Sequence, residues 1–119
     1  MSPFERLHAW RHAHELFLAV HQATEEWPRR EWYGLTSQVR RSAFSVAANI
    51  AEGSAKRGPR EFRRYLDISL GSLAETQYAL RAAKDLGYLT PDGYSALEQK
   101  SQEAGKTLWG LARSLDVKR

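Results

Sequence analysis

The chain has 119 residues, with 18 Lys and Arg against 14 Asp and Glu, a net charge of +4 and no cysteine. That length supports one hydrophobic core and is too short for two. The missing thiols exclude disulfide frameworks, zinc-thiolate sites and thiol catalysis, and they suit a reducing cytoplasm.

The opening run MSPFERLHAW has no basic stretch followed by an apolar one, and charges recur too often for a membrane span. The expectation is a single cytoplasmic domain over residues 1–119 with no membrane partner. The charge is unevenly spread: residues 29–64 hold nine of the 18 cations against Glu31, Glu52 and Glu61, so that segment is +6 and the remainder −2. A basic middle points to nucleic acid or to an acidic protein surface.

Ser2-Pro3-Phe4-Glu5 has the form of a capping box with proline at the first helical position, so a first helix is predicted from there to about Trp27, stopped by Pro28. It carries two apolar stripes. Leu7, Trp10, His14, Phe17 and Thr24 form one, and Ala9, Ala13, Leu16, Val20, Ala23 and Trp27 the other.

After the loop PRREWYG, the spacing of Leu35, Val39, Ala43, Val46 and Ile50 predicts a second helix, with Thr36 as its cap and Gly53 as its end. A third helix starts at Gly58-Pro59, presents Phe62, Leu66, Leu73 and Leu80 to the core and stops at Gly87. A fourth opens at Thr90-Pro91-Asp92 and places Tyr94, Leu97, Ala104, Leu108, Leu111 and Leu115 at heptad spacing.

No segment alternates with the two-residue period of a strand. The fold class is therefore all-α, and the short links predict an antiparallel up-down-up-down four-helix bundle. The third helix adds Tyr65, Ile68, Ala79, Ala82 and Leu86 to its principal face, and the first has its second stripe. That is more apolar surface than four helices need, so a homo-oligomer is expected rather than a thick monomeric core.

The runs EWYGLTSQVRRSAFSVAANIAEG, EFRRYLDISLGSLAETQYAL and LGYL resemble the four-helix-bundle family of the 23S rRNA intervening-sequence proteins. They are similar as well to the accessory proteins of diversity-generating retroelements. The resemblance spans about Leu7 to Leu89, with YGL-x-x-Q-x-R-R, NIAEG and GSL-x-E as its strongest pieces. It implies a ring-shaped homopentamer with a basic surface that meets RNA, DNA or a reverse transcriptase, and it implies no enzymatic activity. By position the basic pair falls on Arg40 and Arg41, the polar helix-end motif on Asn49, Glu52 and Gly53, and the third-helix motif on Gly71, Ser72, Leu73 and Glu75. Ala47 stands where relatives often carry proline, so no kink in the second helix is expected.

The candidate nucleic-acid contacts are Arg40, Arg41, Lys56, Arg57, Arg60, Arg63 and Arg64, since the guanidinium fork matches phosphate. About fifteen residues of helix separate the two groups by roughly 20 Å, so they do not make one compact pocket. Solvated or intersubunit ion pairs are the other reading of the 56–64 cluster. Asn49 and Glu52, one turn apart, are expected to bond the loop at Gly53 or to pair with Arg63 or Arg64.

Glu52 has no second acid or nucleophile beside it, so catalysis is not expected. His8, His12, His14 and His21 all fall in the first helix, but Glu5-x-x-His8 is a lone Glu-x-x-His where a di-iron bundle needs two. No metal or cofactor is expected. Nucleophile-elbow, phosphate-loop, zincin and dinucleotide motifs are all missing from the sequence. Two functions stay open: a non-enzymatic protein that binds nucleic acid through phosphate, and a scaffold that docks a partner enzyme without touching nucleic acid.

Overall fold

Proline and glycine punctuate the chain where the sequence predicts, except at its start and at Gly53. The computed structural model describes residues 2–116. The Ser2 backbone N–H donates to Glu5 Oε1 at 2.6 Å, as a capping box requires. The turn it caps, however, is a 3-10 turn over Pro3–Arg6, and an extended Leu7 ends it. The first long helix, α1, spans His8–Thr24. The break lets Phe4 meet Trp10 edge-on at 4.8 Å and lets Arg11 Nε donate to the Glu5 carbonyl at 3.1 Å. On α1 the second predicted stripe faces the core, joined by Thr24, whose hydroxyl bonds back to the Val20 carbonyl at 2.9 Å.

The second helix, α2, runs unbroken over Leu35–Ser54, through Ala47. Two expectations at its ends are corrected. Thr36 is buried inside the helix rather than capping it; the first-turn N–H of Leu35 donates instead to Glu31 Oε1 at 3.1 Å. Gly53 does not stop the helix but lies buried one residue before its end. A Cβ there would stand 2.7 Å from Tyr65 Cβ and 2.9 Å from Phe62 Cδ1. Glycine is needed because the next helix crosses too close for any side chain.

That helix, α3, spans Gly58–Asp85, entered through Gly58 at φ +81, a left-handed conformation that suits glycine. The last, α4, covers Pro91–Asp116, and Thr90 Oγ1 accepts from the Gly93 N–H at 2.9 Å. Among the described residues there is no strand. Each helix packs on two others: α1 on α2 and α4, and α3 on α2 and α4. The resulting globule measures 46 × 24 × 23 Å. Leu16, Val39, Ile50, Leu66, Leu80 and Leu108 fill its centre.

Between α2 and α3 the core is partly hydroxylic. Ser42 Oγ meets Thr76 Oγ1 at 2.7 Å, Ser45 Oγ meets Ser72 Oγ at 2.8 Å, and Ser69 Oγ donates to the Val46 carbonyl at 2.6 Å. Each of these buried or half-buried hydroxyls has a partner, which removes most of the cost of burying it. Among the described residues no helix is long and apolar enough to cross a membrane.

Candidate nucleic-acid interface

The seven predicted cations separate into those already engaged within the chain and those that are not. Arg63 is half-buried: its Nε donates to Asp116 Oδ1 at 3.0 Å, and its Nη1 lies 3.0 Å from Asp67 Oδ1 at an angle that makes an ion pair but no hydrogen bond. It fastens the start of α3 to the end of α4. Arg64 forks onto Glu61 at 3.1 and 3.3 Å and lies 4.7 Å from the Tyr65 ring centroid. The Arg64 hydrogen bond is the main reason the Glu61 carboxyl titrates below its ordinary range, and Glu61 in turn raises Arg64. Lys56 Nζ sits 5.2 Å from the same ring. Arg57 and Arg60 are exposed and make no hydrogen bond or ion pair among the described residues.

At the other end of α2 the adjacent arginines also diverge. Arg40 Nε donates to Thr24 Oγ1 at 2.7 Å and its Nη2 to the His21 carbonyl at 3.1 Å, while the guanidinium lies 5.1 Å from the Trp32 ring centroid. It satisfies a carbonyl left open at the end of α1 and holds α1 and α2 together. Arg41 is exposed, with no such partner among the described residues.

Around this pair lies a feature the charge count misses, an open groove of about 470 Å³ lined by Phe17, Trp32, Tyr33, Arg40, Arg41 and Phe44, among others. Tyr33 is 93% exposed and Phe44 57%. Phe44 meets Phe17 edge-on at 5.8 Å, and from Phe17 a file of rings continues through His14 to Trp10, which stacks on His14 at 4.8 Å and 8°.

The loop that carries Trp32 and Tyr33 is held by Glu31. One carboxylate oxygen caps α2 and the other accepts from the Tyr88 hydroxyl at 2.7 Å. The Tyr88 hydrogen bond, then the Leu35 N–H, hold Glu31 below the usual carboxylate range, and the same bond raises the Tyr88 phenol. Trp27 lies 5.9 Å from the Tyr88 ring and Arg30 stands over its face. The sequence signal was EWYG itself, a carboxylate four residues ahead of the helix start with two aromatics between.

The polar motif residues serve α2 and α3. Asn49 does not bond the loop at Gly53 or approach Arg63 and Arg64; its Nδ2 donates to the Ser45 carbonyl and hydroxyl, both at 2.9 Å. Glu52 is exposed, and the arginines expected to meet it are taken by Asp67, Asp116 and Glu61. Ser72 joins the hydroxyl contacts, Leu73 is buried, and Gly71 and Glu75 lie on the outer face of α3. Of the histidines, His14 and His21 belong to the ring file. Among the described residues no three of His, Cys, Asp and Glu converge as metal ligands would.

The structure therefore presents two basic ends of one helix, of which the α1–α2 end is also aromatic. The family model of the 23S rRNA-intervening sequence protein matches residues 5–110. The chain belongs to that family. Among solved structures, the chain is similar to a protein of unknown function from the S23 ribosomal protein family of Bacteroides thetaiotaomicron. The two are 22% identical with a TM-score of 0.78, over 87% of this chain and 97% of that one. At that identity the likeness concerns the fold. No curated protein matches the chain.

Proposed function

We propose that this member of the family is a non-enzymatic, cytoplasmic protein that binds nucleic acid through phosphate. The observation that carries the reading is the pair Arg57 and Arg60, exposed and outside any ion pair among the described residues, on either side of the Gly58-Pro59 entry to α3. The first N–H groups of a helix favour anions, and two unengaged guanidiniums beside them add charge and forked donors. Lys56 and Arg41 extend the surface. Arg40, Arg63 and Arg64, already engaged within the chain, contribute field more than contact. The family description refers to ribosomal RNA, which makes RNA the first probe and DNA the second.

The reading extends to architecture. Arg63 near the start of α3 meets Asp116 at the end of α4, and along α2 the successive residues Ser42, Ser45 and Val46 meet Thr76, Ser72 and Ser69 in descending order, which supports up-down-up-down topology. Exposed Ile68 and Tyr78 on α3, with Leu86 just beyond its end, support assembly with further copies, and the pentameric ring comes from the resemblance. The same α3 face favours a second reading, a scaffold that docks a protein such as a reverse transcriptase without contacting nucleic acid.

The test is fluorescence anisotropy with mixed-sequence RNA and DNA at two salt concentrations, with mass followed by light scattering. Arg57→Ala with Arg60→Ala is expected to weaken binding and to reduce the slope of log affinity against log salt by about 1 per lost phosphate contact, at unchanged mass. Unchanged binding by the double variant, or no binding by the parent chain even at low salt, sinks the phosphate reading. A fall in mass assigns the two arginines to subunit contacts.

A further inference from the structure

We propose that the α1–α2 corner stacks unpaired bases, which makes single-stranded RNA or DNA the preferred ligand of this surface. The inference rests on the nucleic-acid reading above and adds which form of nucleic acid is taken and where. Three features carry it. The first is ring exposure: Tyr33 is almost wholly in solvent, and Phe44 and Trp32 are more than half exposed. Large aromatics left bare side by side mark a contact surface.

The second is charge. No residue lining this groove is acidic, while Arg40 and Arg41 both line it. Cations with flat apolar faces between them match a polyanion whose bases are free to stack. In a duplex the base faces are already covered by their neighbours, so such rings gain nothing from it.

The third is preorganisation. The Arg40 guanidinium over Trp32, itself hydrogen-bonded to Thr24 and His21, holds that indole in place, and Glu31 fixes the loop behind it. Little conformational freedom is then lost on binding. An adjoining groove of about 570 Å³ shares Trp32 and Tyr33 and is also lined by Thr24, Glu25, Trp27 and Arg29, so its rings stand beside one charge of each sign. Trp27 is only 6% exposed, and its indole N–H has no acceptor among the described residues.

The experiment uses the full chain with a single-stranded oligonucleotide of about 12 nucleotides and the duplex of the same sequence. Tyr33→Ala removes a solvent-exposed ring with no packing role, and Tyr33→Phe restores the ring without the hydroxyl. Expected are tighter binding of the single strand by the parent chain, a loss of about tenfold on Tyr33→Ala, near-parent affinity on Tyr33→Phe, and duplex affinity unchanged throughout. Equal losses on single strand and duplex, no loss at all, or a drop in mass that places Tyr33 between copies would each overturn the stacking site. If the parent chain binds duplex and single strand alike and Tyr33→Ala is silent, stacking fails while the phosphate reading stands. If it binds neither at low salt, both fail.

Discussion

The two ends of α2 are both basic and use their charge differently. At the α2–α3 bend five cations crowd into nine positions; Arg63 and Arg64 are bound to acids of their own chain, while Lys56, Arg57 and Arg60 have no such partner among the described residues. The groove at the α1–α2 corner is lined by two arginines, one built into the fold and one exposed, and they flank aromatic rings. The bend is thus suited to long-range attraction that salt weakens, and the corner to short-range stacking that salt affects less. Counting positive residues ranks the bend first and says nothing of this division of labour.

The comparison can be broken most severely at Gly53, the residue that lets α3 leave the bend against α2. Gly53→Leu forces a side chain between Tyr65 and Phe62 and should cost about 3 kcal/mol, read as a lower urea midpoint at unchanged slope. The gain of nearly 1 kcal/mol in helix propensity from replacing glycine is too small to offset it. A variant as stable as the parent would show that the crossing is not tight.

Next in size, Arg40→Ala should lose about 1–2 kcal/mol with its charged hydrogen bonds, whereas Arg41→Ala should stay within about 0.5 kcal/mol. Equal effects would erase the distinction between the built-in and the exposed arginine. Smaller again is a pH effect at the corner. Because Glu31 is depressed in the fold, its contribution is present above the ordinary carboxylate range and is lost as pH falls through the depressed value. Because Tyr88 is raised, its contribution is present below the ordinary phenol range and is lost as pH rises through the raised value. Glu31→Gln should flatten both limbs of the urea midpoint against pH, and a curve superimposable on the parent's would rule out the link. Smallest for stability is the Arg57→Ala, Arg60→Ala pair, about 0.5 kcal/mol or less, so its effect on binding is read without loss of fold.

The helices themselves were legible because Pro28, Gly58-Pro59, Gly87 and Thr90-Pro91 act through local backbone chemistry. What local chemistry did not carry was lost: the extended break at Leu7, the capping of α2 by Glu31 in place of Thr36, and the use of Gly53 as a crossing point. Ser42, Ser69, Thr76 and Ser101 are buried against a pattern that counts only apolar residues, because their hydroxyls find carbonyls or each other. For the candidate site, sequence supplied the position of every cation but not its availability. Whether an arginine is engaged depends on residues as distant as Asp116 from Arg63 or Thr24 from Arg40. Tyr33 and Phe44 escaped notice because neither lies on an apolar stripe, and only the fold brings their rings together beside Arg40 and Arg41.

The hydroxyl contacts between α2 and α3 set a register. Sliding α3 by one turn along α2 would part Ser42 from Thr76 and Ser45 from Ser72 at once, so the α3 arginines keep one place beside α2, whose own rise sets the distance from corner to bend. One copy of the protein is in that sense a measuring rod of roughly 20 Å. Under the proposed reading, a single strand gripped at both marks must bridge about 20 Å, and anything shorter engages one end at a time.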